Sequence, residues 1–385
     1  MKRPPEDEDQ APLNLQMPEG VHLDISDDAY FGARAIGSSD LKTLYWQPES
    51  WWFQSYLNPR RRMRVKAFRK QALDLGTALH DLVLLGEEAY QARFIFEPDE
   101  ESGHWLMTPL EVKAELRKMG KNVDQVYGWK LNEMAKRAGL GPRVWEVAWT
   151  TFANAKKAGD PYLTEDEDMR VRHTARLLLG HPELKDAFRG KGLSEVAVFW
   201  RRPEDPDTLL RAKFDRIALQ RMFDLKSLGN WRGRDIDGAI EQSIQDQDYG
   251  IQRRFYHEAF LKLIEFVLEG RVHAWAPDGG SRPVIKQDRE ILSAIAAGGP
   301  ATWVWVFVQL RNDTVGQERA PMIIPRWHRP EGRIWNEGGV KIQVALESYR
   351  RLRAEFGLDQ PWAKIDEAKE LTDSDVRSRV KREIS

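Results

Sequence analysis

The amino-acid sequence predicts an α/β protein whose N-terminal half is mainly helical. Apolar residues recur at helical spacing through much of residues 68–190, and the alternation typical of strands begins at Glu195. The segment 302–310, TWVWVFVQL, has the β-branched and aromatic composition of a buried strand, whereas 249–268 and 334–356 return to helical spacing. Strands and helices therefore share the C-terminal half.

Composition limits the classes of function. The 385 residues allow two or three domains, or one large domain with insertions, and 41% hydrophobic residues suffice for a core. Because 59 Lys and Arg balance 60 Asp and Glu, the net charge predicts neither binding nor avoidance of nucleic acid. The absence of cysteine excludes disulfides, thiol nucleophiles, Fe–S clusters and Cys-ligated zinc. A metal ion would need oxygen or imidazole ligands.

The sequence also predicts where the chain resides. Its first ten residues, MKRPPEDEDQ, lack the apolar region of a secretory signal, and no run approaches the roughly 18 apolar residues of a membrane span. We therefore expect a cytoplasmic protein with no membrane partner.

Start and stop signals divide the N-terminal part. A Ser within 37–44 is expected to cap one helix, a second helix over 68–86 carries His80, Thr164 begins another, and His181 marks a break. Segment 100–160 contains no motif that indicates a role. The predicted divisions are a disordered tail over 1–20, a helical N-terminal part over 21–190, a core over 191–360 and a C-terminal tail over 361–385.

A predicted hairpin brings acidic residues together. If Gln220-Arg221 is a two-residue loop, Asp215 faces Lys226, and Asp224 lies diagonally opposite on the same face. Cross-strand neighbours are about 5 Å apart and diagonal ones about 7 to 8 Å, which suits carboxylates that share one divalent cation. The opposite face is predicted to be apolar and to carry Phe214, Phe223 and Leu225.

Four further residues extend this group. Glu195, at the start of the preceding strand, would supply a third carboxylate, and His80 lies on an apolar helix face, where an imidazole is either a core residue or a ligand. Gln252 and Tyr256 share one face of the helix after the sheet. Each feature alone also fits an ordinary structural role: a surface ion pair, a core histidine or helix packing.

Together the residues resemble the PD-(D/E)xK nuclease superfamily, and within it the RecE-like phage exonucleases of the exonuclease VIII type. The resemblance covers roughly residues 30–356. The motifs that carry it, in order, are Ile36-Gly37-Ser38-Ser39-Asp40-Leu41-Lys42, Leu75-Gly76-Thr77-Ala78-Leu79-His80, His181-Pro182, Ser194-Glu195, Arg211-Ala212-Lys213-Phe214-Asp215, Asp224-Leu225-Lys226 and Tyr249-Gly250-Ile251-Gln252 with Tyr256. Relatives often have Pro before the first Asp, where this chain has Phe214.

The resemblance implies a restriction-endonuclease-like core, in which helices flank a mixed central sheet, and a metal site. By this resemblance, Asp215 and Asp224 bind Mg²⁺ or Mn²⁺ with the carbonyl of Leu225, while His80 and Glu195 complete a site for two ions. Hard divalent cations prefer oxygen ligands, in agreement with this set.

Catalytic roles follow from the same resemblance. Asp215 and Asp224 would act through the metal, and Lys226 would orient or deprotonate the attacking water and offset charge on the phosphate. Gln252 and Tyr256 would position the substrate strand, although packing of the helix against the sheet is an alternative explanation for both.

A basic run precedes the His80 helix and suits phosphate contacts, which supply sequence-independent affinity for DNA. A solvated helix face is the alternative. The expected DNA-binding residues are Arg60, Arg61, Arg62, Arg64, Lys66, Arg69 and Lys70.

The resemblance implies a metal-dependent 5′-to-3′ exodeoxyribonuclease that degrades one strand of linear duplex DNA and leaves a 3′ single strand for recombination. Expected partners are duplex DNA ends, a single-strand annealing protein and further copies of the chain in a ring. One alternative is an endonuclease or repair nuclease of the same superfamily, although its Fe–S branches need cysteines that this chain lacks. Another is a catalytically silent DNA-binding module.

Overall fold

The computed structural model describes residues 15–55, 58, 71–102, 105–229, 235–276, 278–299, 301–310 and 322–363. Within these residues the predicted α/β class is confirmed, because helices flank a large mixed sheet. The strands are β1 Gly20–Leu23, β2 Ile95–Phe96, β3 Tyr162–Leu163, β4 Leu193–Arg202, β5 Asp205–Ala218, β6 Arg221–Ser227, β7 Val272–Trp275, β8 Ser281–Arg282, β9 Thr302–Gln309 and β10 Met322–His328.

The α-helices fall into an N-terminal group and a C-terminal group. The first ten are α1 Asp27–Gly32, α2 Ser38–Trp46, α3 Trp51–Gln54, α4 Gln71–His80, α5 Glu87–Arg93, α6 Pro109–Lys118, α7 Trp129–Arg137, α8 Trp145–Ala158, α9 Glu165–Gly180 and α10 Lys185–Arg189. The next four are α11 Ile236–Asp246, α12 Tyr249–Leu268, α13 Lys286–Ala297 and α14 Gly332–Phe356.

The main sheet has eight strands in the order β10-β9-β6-β5-β4-β1-β7-β8. Strands β6 and β9 run parallel, as do β1 and β7, and the other neighbours are antiparallel. Strands β4, β5 and β6, which carry most of the predicted metal-binding and catalytic residues, therefore lie in the middle of the sheet. A separate two-stranded sheet joins β2 and β3.

Helices cover both faces of the sheet. On one face, α12 and α14 pack against inward-facing residues such as Val198, Ala212 and Trp303. On the other face, α4, α9 and α10 pack against Phe223 and Val304. Apolar side chains therefore leave the central strands in both directions, as expected of strands buried on both faces.

The predicted hairpin is present, but its register differs from the prediction. The loop is Leu219-Gln220 instead of Gln220-Arg221, because Arg221 belongs to β6 and pairs with both Ala218 and Thr302. Pairing with the parallel strand β9 thus extends β6 back by one residue. Continued along the ladder, this register places Asp215 opposite Asp224 rather than Lys226.

The prediction of one apolar hairpin face was also wrong. Phe214 packs on the α12 side, with its ring 5.3 Å from that of Tyr256, whereas Phe223 and Leu225 belong to the core under α4. Phe214 thus lies on one face of the sheet, and Phe223 and Leu225 lie on the other. Both faces carry apolar residues because helices bury both sides of the sheet.

Several helix signals are confirmed and one is wrong. Thr164 caps α9, and the helix ends at Gly180, before His181. Helix α2 has Gly37 rather than a serine at its N-cap, because the Asp40 carboxylate accepts a hydrogen bond from the Gly37 amide at 2.8 Å. Most of the two predicted tails, residues 1–14 and 364–385, lies outside the described residues.

The chain boundary drawn at residue 190 by sequence remains a prediction. The main sheet takes β1 from the segment before that boundary and its other strands from after it. Within the described ranges, every helix is too short or too polar to cross a lipid bilayer.

We predict that removing a buried ring from α12 weakens the fold. Phe255 is completely buried, with its ring 4.9 Å from that of Trp200. Phe255→Ala should lower the free energy of unfolding by about 3–5 kcal/mol, measured by urea denaturation. Leu268, in the last turn of the same helix, is 76% exposed, so Leu268→Ala should change it by no more than about 0.5 kcal/mol. Equal losses in both variants would contradict this packing.

Candidate metal centre

The site begins where the alternation of side chains between the two faces of the sheet is interrupted in two neighbouring strands, β4 and β5. Glu195 adopts a left-handed backbone conformation, with φ of 54°, and the β4–β5 ladder pairs Ser194 with Arg216 and Val196 with Phe214 on either side of it. A non-glycine residue in this conformation is uncommon and costs about 1–3 kcal/mol.

The interruption changes the face to which side chains point. Leu193 and Val196 both contact the core under α12, and so do Phe214 and Ile217, although strict alternation would place the members of each pair on opposite faces. Each strand consequently directs two successive side chains to the α4 side. One member of each pair is a carboxylate, either Glu195 or Asp215.

His80 meets these carboxylates from helix α4. It is the last residue of α4, and a π-helical turn over Asp81–Leu85 follows it directly. Its Nε2 atom lies 3.4 Å from Glu195 Oε1 and 3.4 Å from Asp215 Oδ1. One potential ligand atom from each of the three residues lies within 4.8 Å of the others. Two carboxylates and one imidazole form a donor set that fits a small divalent cation such as Mn²⁺ or Mg²⁺.

A second polar group surrounds Asp224, which is 1% exposed. Lys226 Nζ lies 2.8 Å from both carboxylate oxygens of Asp224. The amide of Gln252, on α12, donates a hydrogen bond of 2.9 Å to Asp224 Oδ1. The predicted residues Lys226 and Gln252 therefore both contact the predicted residue Asp224.

Asp215 links the two groups. Its Oδ1 faces His80, while its Oδ2 accepts a 2.8 Å hydrogen bond from the backbone amide of Leu225. Leu225 stands between Asp224 and Lys226, so the carboxylate that belongs to the His80 cluster also contacts the backbone of β6. The predicted ligand set is thus divided into two adjacent parts, with Asp224 outside the three-residue cluster.

Charges inside the cluster shift the pKa values of its members. Burial alone would lower the pKa of His80, but the carboxylates of Asp215 and Glu195 outweigh it and raise the pKa to about 9. Burial opposes ionisation of Asp215, yet His80, Lys226 and the Leu225 amide together hold its pKa below the usual value. The imidazolium and the carboxylate therefore stabilise each other, and a metal ion would replace the proton of His80.

The Asp224 group has a different balance. Burial raises the pKa of Asp224 to about 6, an effect that Lys226 opposes and Asp215 reinforces. Burial would lower the pKa of Lys226, but Asp224 and Asp215 raise it above the usual value. A second lysine, Lys42, lies over the same Tyr249 ring as Lys226, and burial with repulsion from Lys226 lowers the pKa of Lys42 to about 8.

Sequence reasoning missed the residues that support Glu195. Lys213 Nζ lies 2.6 Å from Glu195 Oε2 and 2.6 Å from Asp27 Oδ1. Arg93 in turn bonds Asp27 at 2.8 Å and Asp81 at 3.1 Å. Lys213 stands two residues before Asp215, which was the only signal for its position, whereas Asp27 and Arg93 come from distant segments.

The cluster opens into a cleft of about 470 Å³. Its lining includes the N-terminal end of α2, residues of α4 and the strands β4 to β6. Gly76 permits close contact of α4 with β6, since a Cβ atom at this position would lie 3.2 Å from Ser227 Oγ. The cleft is large enough for several polar atoms of a ligand to reach His80 and Asp215.

Two predictions have different outcomes here. Tyr256 lines the cleft, but its ring packs against Phe214 and Trp303, so its contacts in the structure are those of a core residue. The basic run with Arg60, Arg61, Arg62, Arg64, Lys66, Arg69 and Lys70 lies outside the described residues.

Comparison with known proteins gives no family. No protein-family model matches the chain, and no curated protein matches it. The functional interpretation therefore depends on the residues and their geometry.

We predict that the imidazole of His80 titrates near pH 9 in metal-free protein. Because this pKa lies above the ordinary value of 6.5, the charged ring stabilises the fold fully below pH 6.5, and the contribution is lost as the pH rises through about 9. NMR titration of labelled histidines in EDTA would measure the pKa. Asp215→Asn should lower it by more than about one unit, since a carboxylate partner is removed.

The matched control for this titration is Asp186→Asn, at an exposed position of α10. It should leave the His80 titration unchanged. A His80 pKa below 7 in the wild-type protein would contradict the electrostatic account of the cluster.

Proposed function

We propose that the protein is a metal-dependent exodeoxyribonuclease that degrades one strand of linear duplex DNA in the 5′-to-3′ direction. The observation that carries this proposal is a hydrogen bond between two groups of residues: Asp215, which belongs to the His80–Glu195–Asp215 cluster in the cleft, accepts it from the backbone amide of Leu225, the residue between Asp224 and Lys226. Oxygen and imidazole ligands beside a lysine ammonium suit phosphodiester hydrolysis.

The metal ligands follow from the geometry and the resemblance together. His80, Glu195 and Asp215 would hold one Mg²⁺ or Mn²⁺ ion, and Asp224 with the Leu225 carbonyl would contribute to a second. A divalent ion bound there would polarise the scissile phosphate and lower the pKa of a water molecule. Lys213 holds Glu195 through its 2.6 Å ion pair and so fixes the direction of that carboxylate.

Lys226 is proposed to act as an ammonium group. Its pKa is raised by Asp224 and Asp215, so it remains charged at neutral pH and offsets negative charge that develops on the phosphate. This favours a charge-offsetting role over removal of a proton from water. Gln252 supports the role by holding Asp224 Oδ1 at 2.9 Å.

The direction of degradation, a ring of several copies and an annealing partner are parts of the proposal that come from the resemblance alone. An endonuclease of the same superfamily remains the second candidate, because its chemistry uses the same acidic residues and lysine. A silent DNA-binding module is disfavoured by the intact set of Asp215, Asp224, Glu195 and Lys226.

We predict that the protein releases mononucleotides from linear duplex DNA in the presence of Mg²⁺ or Mn²⁺ and leaves covalently closed circular DNA intact. Asp224→Ala and Lys226→Ala should each lower the rate by roughly 100-fold or more, because they remove charge at the reacting phosphate. Release from end-labelled DNA would measure rate and direction.

Exposed residues provide controls of the same type. Asp186 and Lys191 are exposed and lie outside the cleft, so Asp186→Ala and Lys191→Ala should retain the wild-type rate. Cleavage of the circle would favour the endonuclease, and loss of neither substrate with any divalent metal would rule out the nuclease.

A second prediction separates metal binding from turnover. Glu195→Gln should weaken Mn²⁺ binding by at least about tenfold, because it removes a charged ligand. Lys226→Met should bind Mn²⁺ as tightly as the wild type or more tightly, because it removes a nearby positive charge, and it should nevertheless lose nuclease activity. Titration calorimetry measures both affinities. Unchanged Mn²⁺ binding in Glu195→Gln would exclude the cluster as a metal centre.

A further inference from the structure

Aromatic rings follow one face of helix α8, which does not line the cleft. Trp145 and Trp149 are one turn apart on this helix, and their rings stack with centres 5.9 Å apart and planes 16° from parallel. Trp149 is 44% exposed, whereas Trp145 is partly buried. Helix α8 belongs to segment 100–160, to which neither a sequence motif nor the nuclease proposal gives a role.

Ring contacts continue toward the C-terminal end of α8. The ring of Phe152 lies 6.0 Å from that of Trp149 and 5.4 Å from that of Tyr162, on strand β3. Lys156 Nζ then lies 6.0 Å from the centre of the Tyr162 ring. Because Trp145 and Lys156 are about three turns apart, they share one face of the helix. We call Trp145, Trp149, Tyr162 and Lys156 the aromatic stripe.

The segment that carries the aromatic stripe is positively charged, although the whole chain has a net charge of −1. Residues 105–158 contain ten Lys and Arg but only five Asp and Glu. Lys156 and Lys157 are exposed, and within the described ranges neither forms an ion pair with a carboxylate. An excess of exposed cations favours a polyanionic partner.

The surroundings of Trp149 differ from those of an apolar protein interface. Apart from Trp149, every exposed residue of α8 is polar, charged or alanine. The core of a protein–protein interface is depleted in charged residues, in contrast to this helix face. Aromatic rings on a positively charged surface are instead typical of proteins that bind single-stranded nucleic acid, whose bases stack on the rings.

The aromatic stripe is also close to the cleft. Arg93 lines the cleft, Phe94 is extended, and β2 begins at Ile95. Ile95 pairs with Tyr162 in the two-stranded sheet. Two residues of extended chain and one strand spacing therefore separate Arg93 from Tyr162, which correspond to about 7 Å and about 5 Å. A DNA strand that leaves the cleft on this side reaches the aromatic stripe within a few nucleotides.

We propose that the aromatic stripe binds single-stranded DNA, with a base stacked on Trp149 and phosphates beside Lys156 and Lys157. Stacking on a protein ring needs unpaired bases, because bases in a duplex are already stacked on their neighbours. The bound strand would be the one that the nuclease leaves, and this assignment rests on the proposed function. Binding itself does not depend on it.

The test uses a fluorescent oligothymidylate of about 20 nucleotides, longer than the usual site size, and follows its anisotropy in EDTA. Without a divalent metal, no metal-dependent cleavage occurs during the measurement. We expect saturable binding that weakens with salt, because lysines that contact phosphates release counterions. Trp149→Ala should weaken binding at least about fivefold, because the stacking of one base is lost.

The matched control is Trp327→Ala, because Trp327 is 62% exposed on β10, at the edge of the main sheet. It should bind as tightly as the wild type. Lys156→Ala should weaken binding and lower the salt dependence by about one released counterion. Lys286→Ala, which removes a 91% exposed cation from α13, should do neither.

Three results would overturn the proposal. They are absence of saturable oligothymidylate binding to the wild type, equal affinity of Trp149→Ala and wild type, and a loss in Trp149→Ala that is as large for duplex DNA. Self-association of the wild type without DNA binding, lost in Trp149→Ala, would also overturn it in favour of an interface between copies of the chain.

Photocrosslinking covers the case in which Trp149→Ala fails to fold. With bromodeoxyuridine in place of thymidine, ultraviolet light should join the oligonucleotide to the peptide that contains Trp145 and Trp149, identified by mass spectrometry. Crosslinks confined to residues outside 105–163 would overturn the proposal. Failure of the nuclease proposal has a different signature, which is linear duplex DNA left intact with every divalent metal.

Discussion

The interruption of alternation in β4 and β5 is the constraint on which the candidate metal centre depends. In a regular pair of strands, successive side chains would alternate strictly between the apolar core under α12 and the one under α4. Because each strand instead directs two successive side chains toward α4, two carboxylates reach His80 while Val196 and Phe214 stay in the opposite core. The left-handed conformation of Glu195 is the local cost of this arrangement.

The surrounding charges make the arrangement tolerable. Two carboxylates that lie close together repel each other, and burial strengthens the repulsion. His80 compensates Asp215, Lys213 compensates Glu195, and Lys226 compensates Asp224. The cluster is therefore balanced in the absence of a metal ion, with one titratable proton on His80 that a divalent cation can replace.

Much of the fold and of the candidate site could be predicted from the sequence, because helix and strand positions depend largely on local residue patterns. Helical spacing gave α12 with its correct bounds, the β-branched run gave β9, and Thr164 gave the start of α9. The residue types of the site were also predicted, because carboxylates and lysine alternate along two adjacent strands.

The rest depends on contacts between distant segments. The hairpin loop moved by one residue because β6 pairs with β9, which lies about 80 residues later in the chain, and no local signal reports that pairing. Strand β1 lies in a segment predicted to be helical and enters the sheet between β4 and β7.

The close contact of α4 with β6 at Gly76 limits which substitutions the metal centre tolerates. Gly76 rests against Ser227, one residue beyond Lys226, and one turn later the same helix presents His80. The spacing between imidazole and carboxylates is therefore set by the absence of a side chain at one point of contact. A bulkier residue at position 76 would push α4 away from β6. His80 would then move away from the carboxylates, although every ligand residue was still present.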